Sequence, residues 1–287
     1  MDNYTAIKNV PIDISKAITH KKNGKIRISA KNNNGIAIKV LVVVLLILTV
    51  LAFITFDYKE IDFPKAVADT LNNIKTVFFN PKLTRDTVLG VLYQLLVTFC
   101  LGTLSTFFGA FLAFFCSLLC AKNIANPAVA NVIKAFVALI RAVPTVLWVL
   151  IFAVTAGLGG VAAVVGLTFH SFAYLTKVYA ESIEEMDRGT IEALRASGAN
   201  FWQIVFQAIV PASISYFVAW TFMRFEINFT NAVAMGAAAG AGGIGFNLFM
   251  AGSFYFDLNE MGYLTYVIVI AVIVLEFIST KIKSKVK

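Results

Sequence analysis

Apolar residues gather into long runs separated by polar stretches. Six of these runs, residues 36–56, 87–120, 135–157, 161–183, 211–235 and 261–280, are long enough to cross a bilayer. A hydrocarbon core of about 30 Å takes roughly 20 residues of helix. None of the runs alternates apolar and polar positions as a barrel strand would, so each is expected to be a helix whose backbone satisfies its own hydrogen bonds. At about 1.5 Å per residue the run 87–120 exceeds about 50 Å, so it must tilt or project beyond the bilayer. Gly102 and Gly109 within it offer small surfaces on which another helix backbone can lie. Pro144 lacks an amide proton, so the third run is expected to kink near Arg141 and free the Ile140 carbonyl for a partner.

Between the first two runs, Phe63, Val67, Leu71, Ile74 and Phe78 recur at steps of three or four. They predict an amphipathic helix in a linker over 57–86, lying on the outer membrane surface. The other polar segment of note is "EALRASGANFWQIVFQAIVP", Glu192 to Pro211. Thr190 can cap a short helix that carries Glu192 in its first turn, and Gly198 lets the backbone turn. Asn200 with Gln203 then forms a capping box for a second helix with Ile204, Val205, Ala208 and Ile209 on its apolar face, and Pro211 ends it. Such a hairpin, with Phe201 and Trp202 at its joint, suits insertion in a groove of a partner protein; packing on its own bundle suits it equally.

Composition agrees with a membrane protein. The chain is 59% hydrophobic and 14% charged, with mean hydropathy +0.80, which excludes a soluble domain. The first run contains one charge, Lys39, and "LAFITFDYKE" after it offers no small-residue cleavage site, so it reads as a retained first span. The organisation expected is a basic cytoplasmic tail at 1–35, a first transmembrane helix at 36–56, the external linker at 57–86, a transmembrane core at 87–280 with a cytoplasmic loop at about 184–210, and a basic cytoplasmic C-terminus at 281–287. With the N-terminus inside, Lys122, Lys134, Arg188, Arg195 and "KIKSKVK" all fall on the cytoplasmic side. Lys59, Lys65, Lys75, Lys82 and Arg85 of the linker count against that orientation. The net charge of +8 suits anionic lipid headgroups rather than nucleic acid.

Three kinds of chemistry can be weighed. The three cysteines, Cys100, Cys116 and Cys120, sit within one span and suit neither disulfides nor zinc. "GAAAGAGGIG", Gly236 to Gly245, lacks the Lys-Ser/Thr ending of a phosphate-cradling loop; its glycines allow close helix approach and a break before Phe246. With two histidines and no HExxH or GxSxG, no catalytic residue, metal or cofactor is expected in this chain. Ionisable groups inside the spans are the remaining candidates, because a charge at mid-bilayer costs about 2.5–3.5 kcal/mol and faces protein or water. His170, Tyr174, Lys177 and Glu181 form one helical stripe, and Trp220, Arg224, Asn228 and Asn231 another. Arg224 and Glu226 are about 200° apart on their helix and each needs a partner on another span. One reading is interhelical pairing that holds the bundle. The other is that Arg141, His170, Lys177, Arg224, Glu226 and Asn228 line a path for a small oxyanion.

The spacing of Glu192, Ala193, Gly198 and Pro211 resembles the EAA loop of ABC importer permeases, with Leu194 in place of the second alanine. "RAVPTVLWVLIF" (Arg141–Phe152), "HSFAYLTKVYAESIEEMDRG" (His170–Gly189), "RFEIN" (Arg224–Asn228) and "GAGGIGFNL" (Gly240–Leu248) are similar, in the same order, to phosphonate-type permease subunits. The likeness covers roughly residues 84–285. It implies a type I importer fold and a permease subunit for phosphonate or a related phosphorus oxyanion, placed in the bacterial plasma membrane. Its partners would be cytosolic ABC ATPases that bind ATP and Mg, an external substrate-binding protein, and a second copy of the chain. Glu192, Ala193, Gly198, Ala199, Phe201, Trp202 and Pro211 would then form the ATPase-coupling segment. The rival readings are an ion-coupled carrier relaying protons through His170 and Glu226, and a membrane adaptor that transports nothing.

Overall fold

The computed structural model describes residues 18–20, 26–28, 34–56 and 61–286. Most of the tail expected over 1–35, the first residues of the linker and Lys287 lie outside the described residues. The chain falls into two units, residues 1–66 and 67–287. In the first, β1 (Ile18–His20) and β2 (Ile26–Ile28) pair antiparallel with Ile18 opposite Ile28. α1 (Asn34–Thr55) follows, an uninterrupted apolar helix exposed along its length. Such a surface is stable only in hydrocarbon or against another apolar surface.

In the second unit α2 (Phe63–Phe79), which begins before the boundary, is the expected amphipathic helix. Its predicted face is exposed, while Val77 is buried where α2 meets Gly262, and the Tyr266 hydroxyl donates to the Phe78 carbonyl at 2.7 Å. α3 (Val88–Cys120) starts at Thr87, whose side chain accepts from the Gly90 amide, and runs unbroken through the long second run. α3, α6 (Gly160–Glu184) and α9 (Val210–Ala239) form the centre of the bundle. Their approach depends on missing side chains. A Cβ at Gly102 would stand 3.1 Å from the Phe229 Cα, and one at Gly109 would stand 2.7 Å from the Ser171 Cβ. Both glycines thus act as the sequence implied.

The third run is bent where Pro144 predicts a kink, and far more sharply than a proline kink alone requires. α4 (Pro127–Ala142) and α5 (Thr145–Ala156) meet at 91°, with Val143 and Pro144 between them. α4 also begins eight residues before the expected span, because Asn126 caps it and Pro127 supplies its first turn. The bend has the anticipated cause, and the Ile140 carbonyl has a side-chain partner that the sequence did not name: the Trp148 indole donates to it at 2.9 Å. Trp148, Phe152 and Phe169 then pack α5 on α6.

A second departure lies at Pro211. α7 (Arg188–Ala196) is followed by α8 (Phe201–Ile204), which continues without interruption through a π-helical turn at Val205–Ile209 into α9. Pro211 therefore does not end a helix. The Val210 amide reaches back five residues to the Val205 carbonyl, and this wider turn lets the helix pass a proline that cannot donate. α9 ends at Gly240, which adopts a left-handed conformation, and α10 (Gly243–Phe249) and α11 (Leu258–Val286) complete the chain. Among the described residues five helices are long and apolar enough to cross a membrane, or six if the bent α4–α5 pair is one span. Apart from the β1–β2 pair, the described architecture is all helical.

Candidate functional site

Two places in the bundle carry the polar residues singled out in the sequence. The first is the hairpin α7–α8. Its cap is Asp187, not Thr190: the Asp187 carboxylate accepts from the Thr190 amide at 3.2 Å, so the helix starts at Arg188, three residues earlier than a threonine cap would have it. Gly198 makes the bend with φ +82°, a conformation that a side chain strains. Asn200 and Gln203 form the full reciprocal capping box, at 2.9 and 2.8 Å.

The hairpin has two faces. Ile191, Ile204, Val205 and Ile209 are buried against Leu118, Tyr179, Ile183 and Phe217 of the bundle, and Ala208 is buried as well. Glu192, Ala193 and Gly198 are exposed, Ala199 is half-buried, and Pro211 is exposed. Phe201 and Trp202 are 41% and 50% exposed, and Trp202 stacks on Phe206 at 6.1 Å, so a continuous aromatic surface faces outward. Beside it Lys122, Asn123, Arg188, Ile191, Glu192 and Arg195 line a cavity of about 140 Å³. The end of α6 is tied to α4 by Lys134, whose Nζ is 2.7 Å from the Glu184 carboxylate, and to the turn between α3 and α4 by Asn123, which donates to the Ile183 carbonyl at 2.7 Å. The hairpin therefore rests on a braced platform.

The second place lies inside the bundle. Arg224 is buried, with 2% of its surface exposed, and it finds its partners on α6: Nε donates to the Ser171 hydroxyl at 2.9 Å, and Nη2 lies 2.8 Å from His170 Nδ1. Asn228, also buried, donates to Ser171 and to Thr106 of α3, each at 2.8 Å. The Tyr174 ring is shared by two guanidinium groups, with Arg224 at 5.2 Å and Arg141 at 6.0 Å from its centroid. Arg141, His170 and Arg224 are thus brought together around one ring. Lys177 is not part of the group; it pairs with Glu181 at 3.4 Å on the exposed side of α6. Glu226 is half-buried, and among the described residues its side chain has no hydrogen-bond or ionic partner.

Ser171 and Thr106 were invisible to the periodicity argument, since a small hydroxyl inside an apolar helix usually bonds its own backbone. Ser171 does that too, donating to the Leu167 carbonyl at 2.6 Å, while its oxygen accepts from Arg224 and Asn228 of α9 and its Cβ packs against Gly109 of α3. At the glycine-rich segment the first amides of α10 are taken: Gly243 donates to the Gln94 side chain at 3.1 Å and Ile244 to Thr98 at 3.0 Å.

Residues 105–282 match the family described as binding-protein-dependent transport system inner membrane component, more than half of the chain. The chain belongs to this family. Every residue of the hairpin and of the Arg224 cluster lies within the family segment, whereas α1 and α2 lie before it. Among relatives of this permease family, the phosphate-import permease protein PhnE of Mycolicibacterium smegmatis is 31% identical over 190 residues, 66% of this chain and 35% of that protein. The phosphite transport system permease protein PtxC of Stutzerimonas stutzeri is 36% identical over 129 residues, 45% of this chain and 46% of that protein. The chain thus spans less than half the length of these curated relatives. Among solved structures, inward-facing MetNI methionine ABC transporter chains superpose with a TM-score of 0.63 at 23% identity, covering 71% of this chain and all of that one. A bacterial alginate ABC transporter chain gives 0.58 at 12% identity, covering 88% of this chain and 98% of that one. At these identities the likeness is one of fold, and the fold is that of ABC importer permeases.

At the opposite end from the hairpin, the linker before α3 is held by α11. Glu260 is buried and accepts from the Asp86 amide at 3.0 Å, and Thr84 donates to both Glu260 and Asp257. The Thr84 hydroxyl first, then the Glu260 amide, hold the Asp257 carboxyl below its ordinary value. A lowered carboxyl favours the fold at every pH above its unfolded value, about 3.9, and the benefit fades as pH falls from there through the folded value. Asp257→Asn is expected to lower the melting temperature at pH 7, where the carboxylate's benefit is fully present, and to flatten the acid limb of the melting-temperature profile below about pH 4, where the two proteins converge. Melting curves of both proteins in detergent check this; parallel acid limbs would refute it.

Proposed function

We propose that this chain is the membrane-spanning permease subunit of an ATP-driven importer for phosphonate or a related phosphorus oxyanion such as phosphite or phosphate. It works as a homodimer with two cytosolic ABC ATPases, which bind ATP and Mg, and with an external substrate-binding protein. The observation that carries this reading is the two-faced hairpin: one face is sealed into the bundle, and the other offers Glu192, Phe201 and Trp202 on a bend fixed by Gly198. A surface of that kind transmits displacement, because the element gripped by a partner is continuous with α9 through the π-helical turn.

Orientation follows from the same assignment. The hairpin end is cytoplasmic, as are both termini, and the Thr84–Glu260 end is external. The relatives named for phosphate and phosphite import support the substrate class. So does the Arg141, His170 and Arg224 group, which has donors and positive charge and, among the described residues, no carboxylate partner. In this reading Arg141 and His170 line the path, Arg224 and Asn228 stand behind them, and Lys177 and Glu226 mark its two flanks.

Reconstitution of the chain in liposomes with its ATPase and binding protein tests the proposal. ATP turnover stimulated by phosphite, phosphate or methylphosphonate, and unaffected by a protonophore, is the expected result. Stimulation by none of them would overturn the substrate class, and uptake that persists without ATP but collapses with the proton gradient would overturn the coupling.

A further inference from the structure

His170 is held in one orientation by a neighbour that can only donate. Arg224 Nη2 lies 2.8 Å from His170 Nδ1, and a guanidinium has no acceptor. Nδ1 must therefore accept, which places the ring proton on Nε2. Arg224 is itself locked, with Nε on Ser171 and the Tyr174 ring against its face. Ser171 is tied in turn to Asn228 and the Leu167 carbonyl. The chain of bonds from Thr106 to His170 thus fixes a single tautomer. His170 Nε2 has no partner among the described residues, yet it is not among their buried unpartnered atoms, and the residue is only half-buried. The N–H consequently faces open space.

We propose that His170 is a specificity-determining residue of the transport path: its Nε2–H is a fixed, uncharged donor for an oxygen of a phosphorus oxyanion, with Arg141 supplying positive charge beside it. Arg224 is the positioning residue that sets the tautomer and does not itself meet the ligand. The inference rests on the transport reading above and adds to it the polarity of the site. Guanidinium and Nε2–H offer donors only, so an oxyanion finds a partner for its oxygens, while an ammonium group in the same place would meet donors alone. A rigid neutral donor also binds without the desolvation that a third cation would require, which leaves the ion free to move on.

Two measurements test this. His170 and His20 are the only histidines, so the full chain carrying His20→Gln, labelled with ¹⁵N in the imidazole and placed in nanodiscs, reports His170 alone. The Nε2–H tautomer is expected, with the Nε2–H signal shifting on addition of phosphite and the tautomer preference lost in Arg224→Met. A dominant Nδ1–H tautomer, or an Nε2–H signal indifferent to phosphite, phosphate and methylphosphonate, overturns the proposal.

The second measurement uses the complete complex in liposomes at saturating binding protein. His170→Met, which removes the donor, is expected to lower the uptake rate at least tenfold. His170→Gln, which can accept from Arg224 and still direct an N–H outward, is expected to stay within threefold of wild type. If wild type moves none of the three anions, the transport reading fails and the nanodisc arm decides the ligand question by itself. If wild type moves one and His170→Met equals it, the transport reading stands and the role of His170 falls.

Discussion

Under the proposed function, replacing Phe201 and Trp202 together with serine is expected to uncouple the subunit from an ATPase partner while leaving the subunit itself intact. Both rings are about half exposed and add little to the core, so the fold should change by no more than about 0.5 kcal/mol, as at other surface sites. An aromatic anchor at the centre of an interface, by contrast, is worth about 2 kcal/mol or more. Losing two should weaken ATPase binding by roughly 4 kcal/mol, close to a thousandfold. The measurements are co-purification with the ATPase, substrate-stimulated ATP turnover, and a melting curve of the isolated subunit. Retained co-purification and turnover would show that the outward aromatic surface meets lipid or another partner. The control is Ile191→Ser on the inner face, which should lower the melting temperature instead, because Ile191 is buried beneath the hairpin.

Arg224→Met is expected to leave the stability of the bundle unchanged or to raise it by about 1–4 kcal/mol, and to reduce transport at least tenfold. A buried guanidinium with no carboxylate partner is costly to insert, and a thioether of similar length fills the same space without that cost. The groups left behind mostly keep other bonds. Ser171 retains Asn228 and the Leu167 carbonyl, and Asn228 retains Thr106. Only the half-exposed His170 loses its donor. A charge that the fold does not require is kept for function, and the combination of equal stability with lost transport is its signature. Unfolding in mixed micelles and uptake in liposomes give the two numbers. A loss of 3–5 kcal/mol with transport preserved would make Arg224 a structural residue, as breaking a needed buried contact does.

Much of the architecture could be read along the chain. The positions of the long helices follow from unbroken apolar runs, since in hydrocarbon no other conformation satisfies the backbone. The α7–α8 hairpin followed from Gly198 and the Asn200–Gln203 box, which act through bonds spanning three residues. The Trp148–Ile140 bond was half legible: Pro144 requires that the carbonyl be freed, but nothing local says which side chain eight residues away will take it. At Pro211 the local rule gave the wrong outcome. A proline ends a helix unless a wider turn absorbs it, and that turn persists here because Val205 and Ile209 are buried against the bundle.

The sequence by itself determined which segments are long and apolar enough to cross a membrane, where the bend at Gly198 falls and which charges must find partners inside, because each of these depends on composition or on contacts within a few residues. The tertiary structure alone decided that the partners of Arg224 are His170 and Ser171. It also decided that α4 and α5 stand at 91° and that the hairpin has an inner and an outer face. Those outcomes depend on how closely helices approach. That distance is set where Gly102 and Gly109 meet the backbones of other helices, a pairing that no periodicity in one segment can specify.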